Sequence, residues 1–268
     1  MKKTIKKMKI LLLLGAMLLP LCANGQQKVR TVRGDFNLDG TFGMDDLTAL
    51  INYLVFGSWN DCPADLQRDT VTVNGVEFVM VKVDGGSYAI DEGVTATVGD
   101  FWVGQTEVTK QLWVAVMGGT LGSDPLHPMS KVSWDDCQSF ISRLNELTGR
   151  TFRLPSSIEW EWAARGGNYS HGYEYAGSNS PDLVAHYSSP NWNRYISNVG
   201  LLHPNELDLY DMSGNVREWC QTAWNGNASD HIVRGGSASD GVNECKVSWI
   251  GHYQYYSART DTGFRLAM

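Results

Sequence analysis

Between residues 35 and 46, oxygen-bearing side chains fall at the intervals of a loop that closes around one hard cation. Asp35, Asn37 and Asp39 alternate, Gly40 permits the sharp turn, Thr41 offers its carbonyl, and Asp46 closes the loop at position twelve. Alternate positions of such a loop point inward, so this spacing predicts calcium; the plainer reading is an acidic, solvated turn before a helix. The second group able to do chemistry is the cysteines. Cys62, Cys137, Cys220 and Cys245 lie beyond the N-terminal apolar stretch. Four cysteines in an oxidising compartment allow three full pairings.

These groups need elements to position them. Leu47, Leu50, Ile51 and Leu54 form the apolar stripe of a helix directly after the acidic loop. Upstream, Lys2, Lys3, Lys6, Lys7 and Lys9 precede an apolar run from Ile10 to Leu21, and Ala23-Asn24-Gly25 supplies a small-residue exit. That order predicts a secretory signal over residues 1–25, cut before Gln26. The run is short of the ~20 residues a spanning helix needs, so no transmembrane segment is expected. Lipid attachment at Cys22 is the lesser reading, because the preceding Leu21 is bulky. The expected location is secreted, periplasmic or at the cell surface.

Residues 58–70, including Cys62-Pro63, read as a linker. Asn74-Gly75 between Val71–Val73 and Val76–Val83 predicts a tight hairpin that opens the large domain. Ser133 caps a helix whose buried stripe is Cys137, Phe140, Ile141, Leu144 and Leu147, with Gly149 as its stop. A second helix runs through Glu159, Trp160, Trp162 and Ala163 to Gly166-Gly167. From there to Gly214 neither period persists, so specific contacts must pin a long loop.

Residues 34–57, with Asp at the closing position and one helix after the loop, resemble a type I dockerin repeat. Dockerins carry two repeats and a single one is found here. The resemblance implies calcium and, where it extends to binding, a cohesin-like partner. Over residues 71–268 five ordered blocks resemble the formylglycine-generating enzyme (sulfatase-modifying factor) family. They are Thr106-Glu107-Val108-Thr109; Val132 to Asp136; Arg153-Leu154-Pro155 through Gly167; Asn205 through Asp211-Met212-Ser213-Gly214-Asn215-Val216-Arg217-Glu218-Trp219; and Arg234-Gly235-Gly236-Ser237 with Gly263-Phe264-Arg265-Leu266. That resemblance implies an α+β, irregular, loop-rich variant of the C-type lectin fold, preceded by the small calcium loop-helix segment.

The family's founding activity oxidises a cysteine of unfolded sulfatases to formylglycine, with copper held by two cysteines five residues apart. Two thiolates suit a soft monovalent ion. Here Cys245 falls on the second position and Asp240 on the first, while Ser237 matches the active-site serine. Ser237 and Cys245 are therefore catalytic only if the chain is active, and copper is a cofactor only then. A Cys220–Cys245 disulfide that staples the loop block to the C-terminal segment is the expected use of that cysteine, and a free reactive thiol is the alternative. Another branch of the family uses iron on three histidines in an added helical domain. Histidines 127, 171, 186, 203, 231 and 252 have no such spacing. A family calcium site maps onto the carboxylates of Asp211 and Glu218 with the carbonyls of Gly214 and Val216, a chemically sensible set for a hard cation. The plainer reading is that Glu218 accepts hydrogen bonds and holds no ion.

Trp249, His252, Tyr253, Tyr255 and Tyr256, mixed with Ser, Gly, Gln and Asp, predict a recognition surface for a protein or carbohydrate ligand. Some of these rings would equally serve as core. Arg217 stands where many relatives carry Trp, and Ile250 where they usually carry Arg. The net charge is −7 without basic runs beyond the signal, so no nucleic acid is expected. Three classes compete: a non-catalytic, calcium-stabilised binding module, expected first; a copper-dependent oxidase; and a scaffold component assembled through the dockerin-like repeat.

Overall fold

A computed structural model describes residues 66–91, 94–189 and 195–268. The signal segment, the acidic loop with Asp35, Asn37, Asp39, Thr41 and Asp46, and Cys62 lie outside the described residues. The chain divides into a unit of residues 1–59 and a second unit, Asn60–Met268.

Strand β1 (Arg68–Val73) takes in the last residues of the expected linker and turns through Asn74-Gly75 into β2 (Val76–Val83). Both turn residues have positive φ, +47° and +82°, as a two-residue hairpin loop requires. A two-stranded ribbon, β3 (Gly86–Asp91) with β4 (Val94–Val98), follows. Strand β5 (Phe101–Gly104) then returns to β2, so the first sheet has the order β1-β2-β5.

Three helices pack around this sheet's surroundings, each with a side-chain cap. Thr109 caps α1 (Lys110–Met117), accepting from the Leu112 N–H. Ser133 and Asp136 form a reciprocal capping box at α2 (Trp134–Thr148), which ends at left-handed Gly149. Cys137, Phe140, Ile141 and Leu144 are buried as expected, whereas Leu147, in the last turn, is 39 % exposed and belongs to the rim. Ser156 and Glu159 form the same box at α3 (Ser157–Ala164). This helix is buried almost all round, and its one buried charge, Glu161, is paired with Arg234 at 2.8 Å and Arg165 at 2.6 Å.

Among the described residues, the stretch from 165 to 212 is irregular apart from a 3-10 turn, the four-residue α4 (Pro181–Val184) and one two-residue strand. It is pinned where β6 (Ala185–His186) pairs in parallel with β7 (Ser213–Gly214). A hairpin of β8 (Arg217–Trp224) and β9 (Asn227–Arg234) turns at Asn225-Gly226. With β10 (Gly251–Gln254) and β11 (Thr262–Gly263) it forms a second sheet of order β10-β9-β8-β11.

Residues 262–268 knit the unit together. β11 runs parallel to β8, the Phe264 carbonyl accepts from Val108, Leu266 from Gly104, and Ala267 exchanges hydrogen bonds with Arg153. Met268 exchanges a further pair with Trp102. Separate sheets, antiparallel except for the β8–β11 and β6–β7 pairings, few helices and a long irregular stretch make this an α+β, loop-rich fold, as the sequence led us to expect.

Candidate functional site

The first residue of β8 organises the region where the alternative oxidase reading would place its chemistry. Arg217 has a side chain only 8 % exposed, and its guanidinium forms ion pairs with both Asp240 and Asp261, the latter at 2.5 Å. Ser237, fully buried after the two left-handed glycines 235 and 236, donates its hydroxyl to Asp240 at 2.7 Å. The Trp249 and Tyr253 rings lie about the guanidinium, at 6.0 and 5.9 Å. Burial pushes the Asp240 carboxyl up, against the pull of Ser237 and Arg217. Burial also acts on Asp261, but the hydrogen bonds and charges of Arg217 and Arg259 outweigh it and hold that carboxyl below its ordinary value.

Cys245 sits beside this network, fully buried against Tyr175, Val184 and Ala185, with its sulfur 3.7 Å from the Gly241 carbonyl. Burial, then the charges of Asp240 and Glu244, push its thiol up to about 12, so it stays protonated at neutral pH. A copper ion held by paired thiolates does not fit these donors. One sulfur is a buried thiol, and the oxygen in place of the other is already committed to Arg217 and Ser237.

The expected Cys220–Cys245 disulfide is not formed. Cys137, Cys220 and Cys245 are all free thiols. Cys220 belongs to the cluster of Trp160, Leu209 and Ile232, while Cys245 lies in a separate cluster, so the two sulfurs face different interiors.

Glu218, one residue along β8, is fully buried. It accepts from Arg265 through both oxygens, the shortest contact being 2.8 Å, and from the Trp160 indole N–H at 2.6 Å. Asp211 accepts the Gly200 N–H at 2.7 Å. Glu107 accepts from the Asn215 amide at 2.8 Å and the Val216 N–H at 3.1 Å. Three buried carboxylates thus surround one guanidinium. Burial first, and the neighbouring carboxylates second, push Glu107 well above its ordinary range; burial and Glu218 bring Asp211 up to about 6, against Gly200 and Arg265.

Such an excess of buried negative charge would suit a hard cation beside Asp211; Gly214 lies in β7, and the Val216 N–H donates to Glu107. Glu218 fits less well as a ligand, because Arg265 and Trp160 occupy both of its oxygens. Among the described residues no group of three or more His, Cys, Asp and Glu side chains is arranged to hold a metal ion.

The five ring residues of the expected recognition surface divide. Trp249 and Tyr253 turn inward onto the core, with Tyr253 edge-on to Trp219 at 6.1 Å. His252 points out and stacks on Trp224 at 4.5 Å, while Tyr255 and Tyr256 are 37 % and 60 % exposed. Alternation along β10 separates His252 from Tyr253, whereas Trp249, Tyr255 and Tyr256 lie outside the strand.

Asp261, Glu107 and Arg265 were not among the expected site residues. No local signal marked Asp261 or the pairing of 217 with 240, because these contacts span 44 and 23 residues.

Residues 61–268 match the family described as "Sulfatase-modifying factor enzyme 1-like domain". A "Chaperone protein LppX" of Paenibacillus barcinonensis is 31 % identical over 74 % of this chain and 88 % of its own length. A formylglycine-generating enzyme of Thermomonospora curvata is 29 % identical over 42 % of each chain. Among solved structures, Treponema denticola variable protein 1 superposes with a TM-score of 0.66 at 26 % identity, over 75 % of this chain and 98 % of that one.

Proposed function

The chain belongs to the sulfatase-modifying factor enzyme 1-like domain family, and from that premise we propose that it is a non-catalytic, calcium-stabilised binding module exported from the cytoplasm. Export rests on residues 1–25, which have the order of a secretory signal. Calcium rests on the acidic loop at 35–46 and on the charge excess around Asp211.

The observation that carries the non-catalytic reading is the ion pair of Arg217 with Asp240, where the family resemblance calls for a copper-binding thiolate. A carboxylate is a hard ligand and this one is neutralised in place, while the remaining thiol is buried and protonated. Ser237, which the oxidase reading would use, is bound to the same carboxylate. The ligand is a protein or a carbohydrate, met by the exposed rings of the C-terminal segment. A protein is favoured by one observation: the relative named a chaperone shares most of its length with this chain.

The test is turnover of a Cys-x-Pro-x-Arg peptide with supplied copper and oxygen, read as aldehyde by mass spectrometry. No product is expected, and copper-dependent product would restore the oxidase. In parallel, binding to a glycan array and to a reduced, unfolded protein separates the two ligand classes.

A further inference from the structure

Strand β10 is the open edge of the second sheet. It pairs with β9 on one side, and among the described residues no strand lies on the other in the order β10-β9-β8-β11. The register fixes which backbone groups face outward. Tyr255 donates to Ser229, its opposite residue, and Tyr253 opposite His231 and Gly251 opposite Val233 share that parity. In an antiparallel ladder the intervening residues then direct their N–H and C=O away from the partner. Those residues are His252 and Gln254, both exposed, with Ile250 preceding them at 39 % exposure. The Gln254 carbonyl accepts the Ser257 N–H at 2.9 Å, so the outward groups on offer are both of His252 and the Gln254 N–H.

Natural sheets guard open edges with Lys, Pro, charged residues or bulges. The outer strand of the first sheet, β1, does so: Arg68 is bound to Asp208, and Asp69 to Arg150. From Ile250 to Tyr256 there is no Lys, Pro, Asp, Glu or Arg, and the β10 register with β9 is regular. Tyr255 and Tyr256 flank one end of the edge, and the His252–Trp224 stack lies beside it.

We propose that the outer edge of β10 is a docking edge for an extended segment of another polypeptide, which adds as a fifth strand. Main-chain hydrogen bonds to His252 and Gln254 provide the attachment, and the flanking rings take alternate side chains. The chain's net charge of −7 favours a segment with cationic ends. This inference rests on the binding-module reading and specifies how a protein ligand is held.

The test uses the mature chain and an end-blocked fluorescent peptide, Lys-Thr-Val-Thr-Val-Thr-Val-Lys, with a version N-methylated at alternate residues. Anisotropy should show saturable binding of the first and binding at least about tenfold weaker for the second. His252→Pro removes one outward N–H and leaves the β9 ladder intact. It should weaken binding about tenfold with an unchanged thermal midpoint, whereas His252→Ala should stay within about twofold. Hydrogen exchange on the unmutated chain supplies a readout independent of folding in the variant. The peptide should protect the His252 and Gln254 amides.

Absence of saturable binding, equal affinity for the methylated peptide, a His252→Ala loss as large as that of His252→Pro, or no protection at these amides would overturn the proposal. Binding of a glycan or an unfolded protein that ignores His252→Pro overturns only the edge. Copper-dependent turnover overturns the reading beneath it.

Discussion

Arg217 and Asp240 form an ion pair with side chains 8 % and 13 % exposed, and Asp261 holds the other arm of the same guanidinium. Arg259 pairs with Asp261 as well, at 3.2 Å, so two cations balance two carboxylates and Arg217 is the one that touches both. Removal of Arg217 is therefore costlier than removal of either anion.

Arg217→Gln should lower stability by about 2–4 kcal/mol at pH 8, because it leaves the partly buried Asp240 without its ion-pair partner and Asp261 with Arg259 alone. The loss should be smaller at pH 5, where the stranded carboxylate takes up a proton. Urea unfolding at the two pH values checks this. An equal loss at both would mean that Arg217 acts through packing alone.

His186 supplies a pH dependence of its own. Burial pushes its pKa down from 6.5 to about 4. Between those values the unfolded chain binds a proton at this residue and the folded chain does not. Its contribution to stability is full above pH 6.5 and is lost as pH falls toward 4. The slope of stability against pH in that window should be shallower in His186→Gln, and an unchanged slope would remove His186 from the account.

Gly214 holds the β6–β7 crossing. Its φ is +80°, and a Cβ there would lie 2.1 Å from the His186 carbonyl oxygen, a backbone atom that cannot swing aside. Gly214→Ala should cost about 3 kcal/mol or more and reduce soluble yield. A thermal midpoint within a degree or two of the parent would show that the crossing is not rigid.

Calcium should raise the thermal midpoint of the mature chain, and chelation should lower it. Part of that shift should disappear in Asp211→Asn and another part in Asp46→Asn. If both variants retain the whole shift, neither proposed site binds the ion.

Legibility in the sequence followed local chemistry. Asn74-Gly75 announced the first hairpin, and Ser133 with Asp136 announced α2, because each signal is contained in a few consecutive residues. The β8–β9 hairpin carries the same turn dipeptide, Asn225-Gly226, yet its strands were hidden. Arg217 to Cys220 are buried in succession, which erases the alternation that marks a half-exposed strand. Helix α1 escaped for a related reason: Leu112 to Met117 is an unbroken apolar run without a helical period. At the site, the exchange of thiolate for carboxylate at 240 was visible. Its partner was not, since a contact across 23 residues depends on loop geometry rather than on spacing. The Cys220–Cys245 bridge failed because an even cysteine count says nothing about which interior each sulfur faces.

Residues 262–268 bind β8, Val108, Gly104, Trp102 and Arg153, all made earlier during translation. A nascent chain therefore carries its sheets, helices and buried charges without the strand that joins them. These contacts span up to 166 residues of sequence, counted from Trp102 to Met268, so closure is a late event and a slow one. Until then Glu218 lacks Arg265 and Trp102 lacks its backbone partner. A core that waits for residues 262–268 leaves the chain before them open to local unfolding until that segment is made.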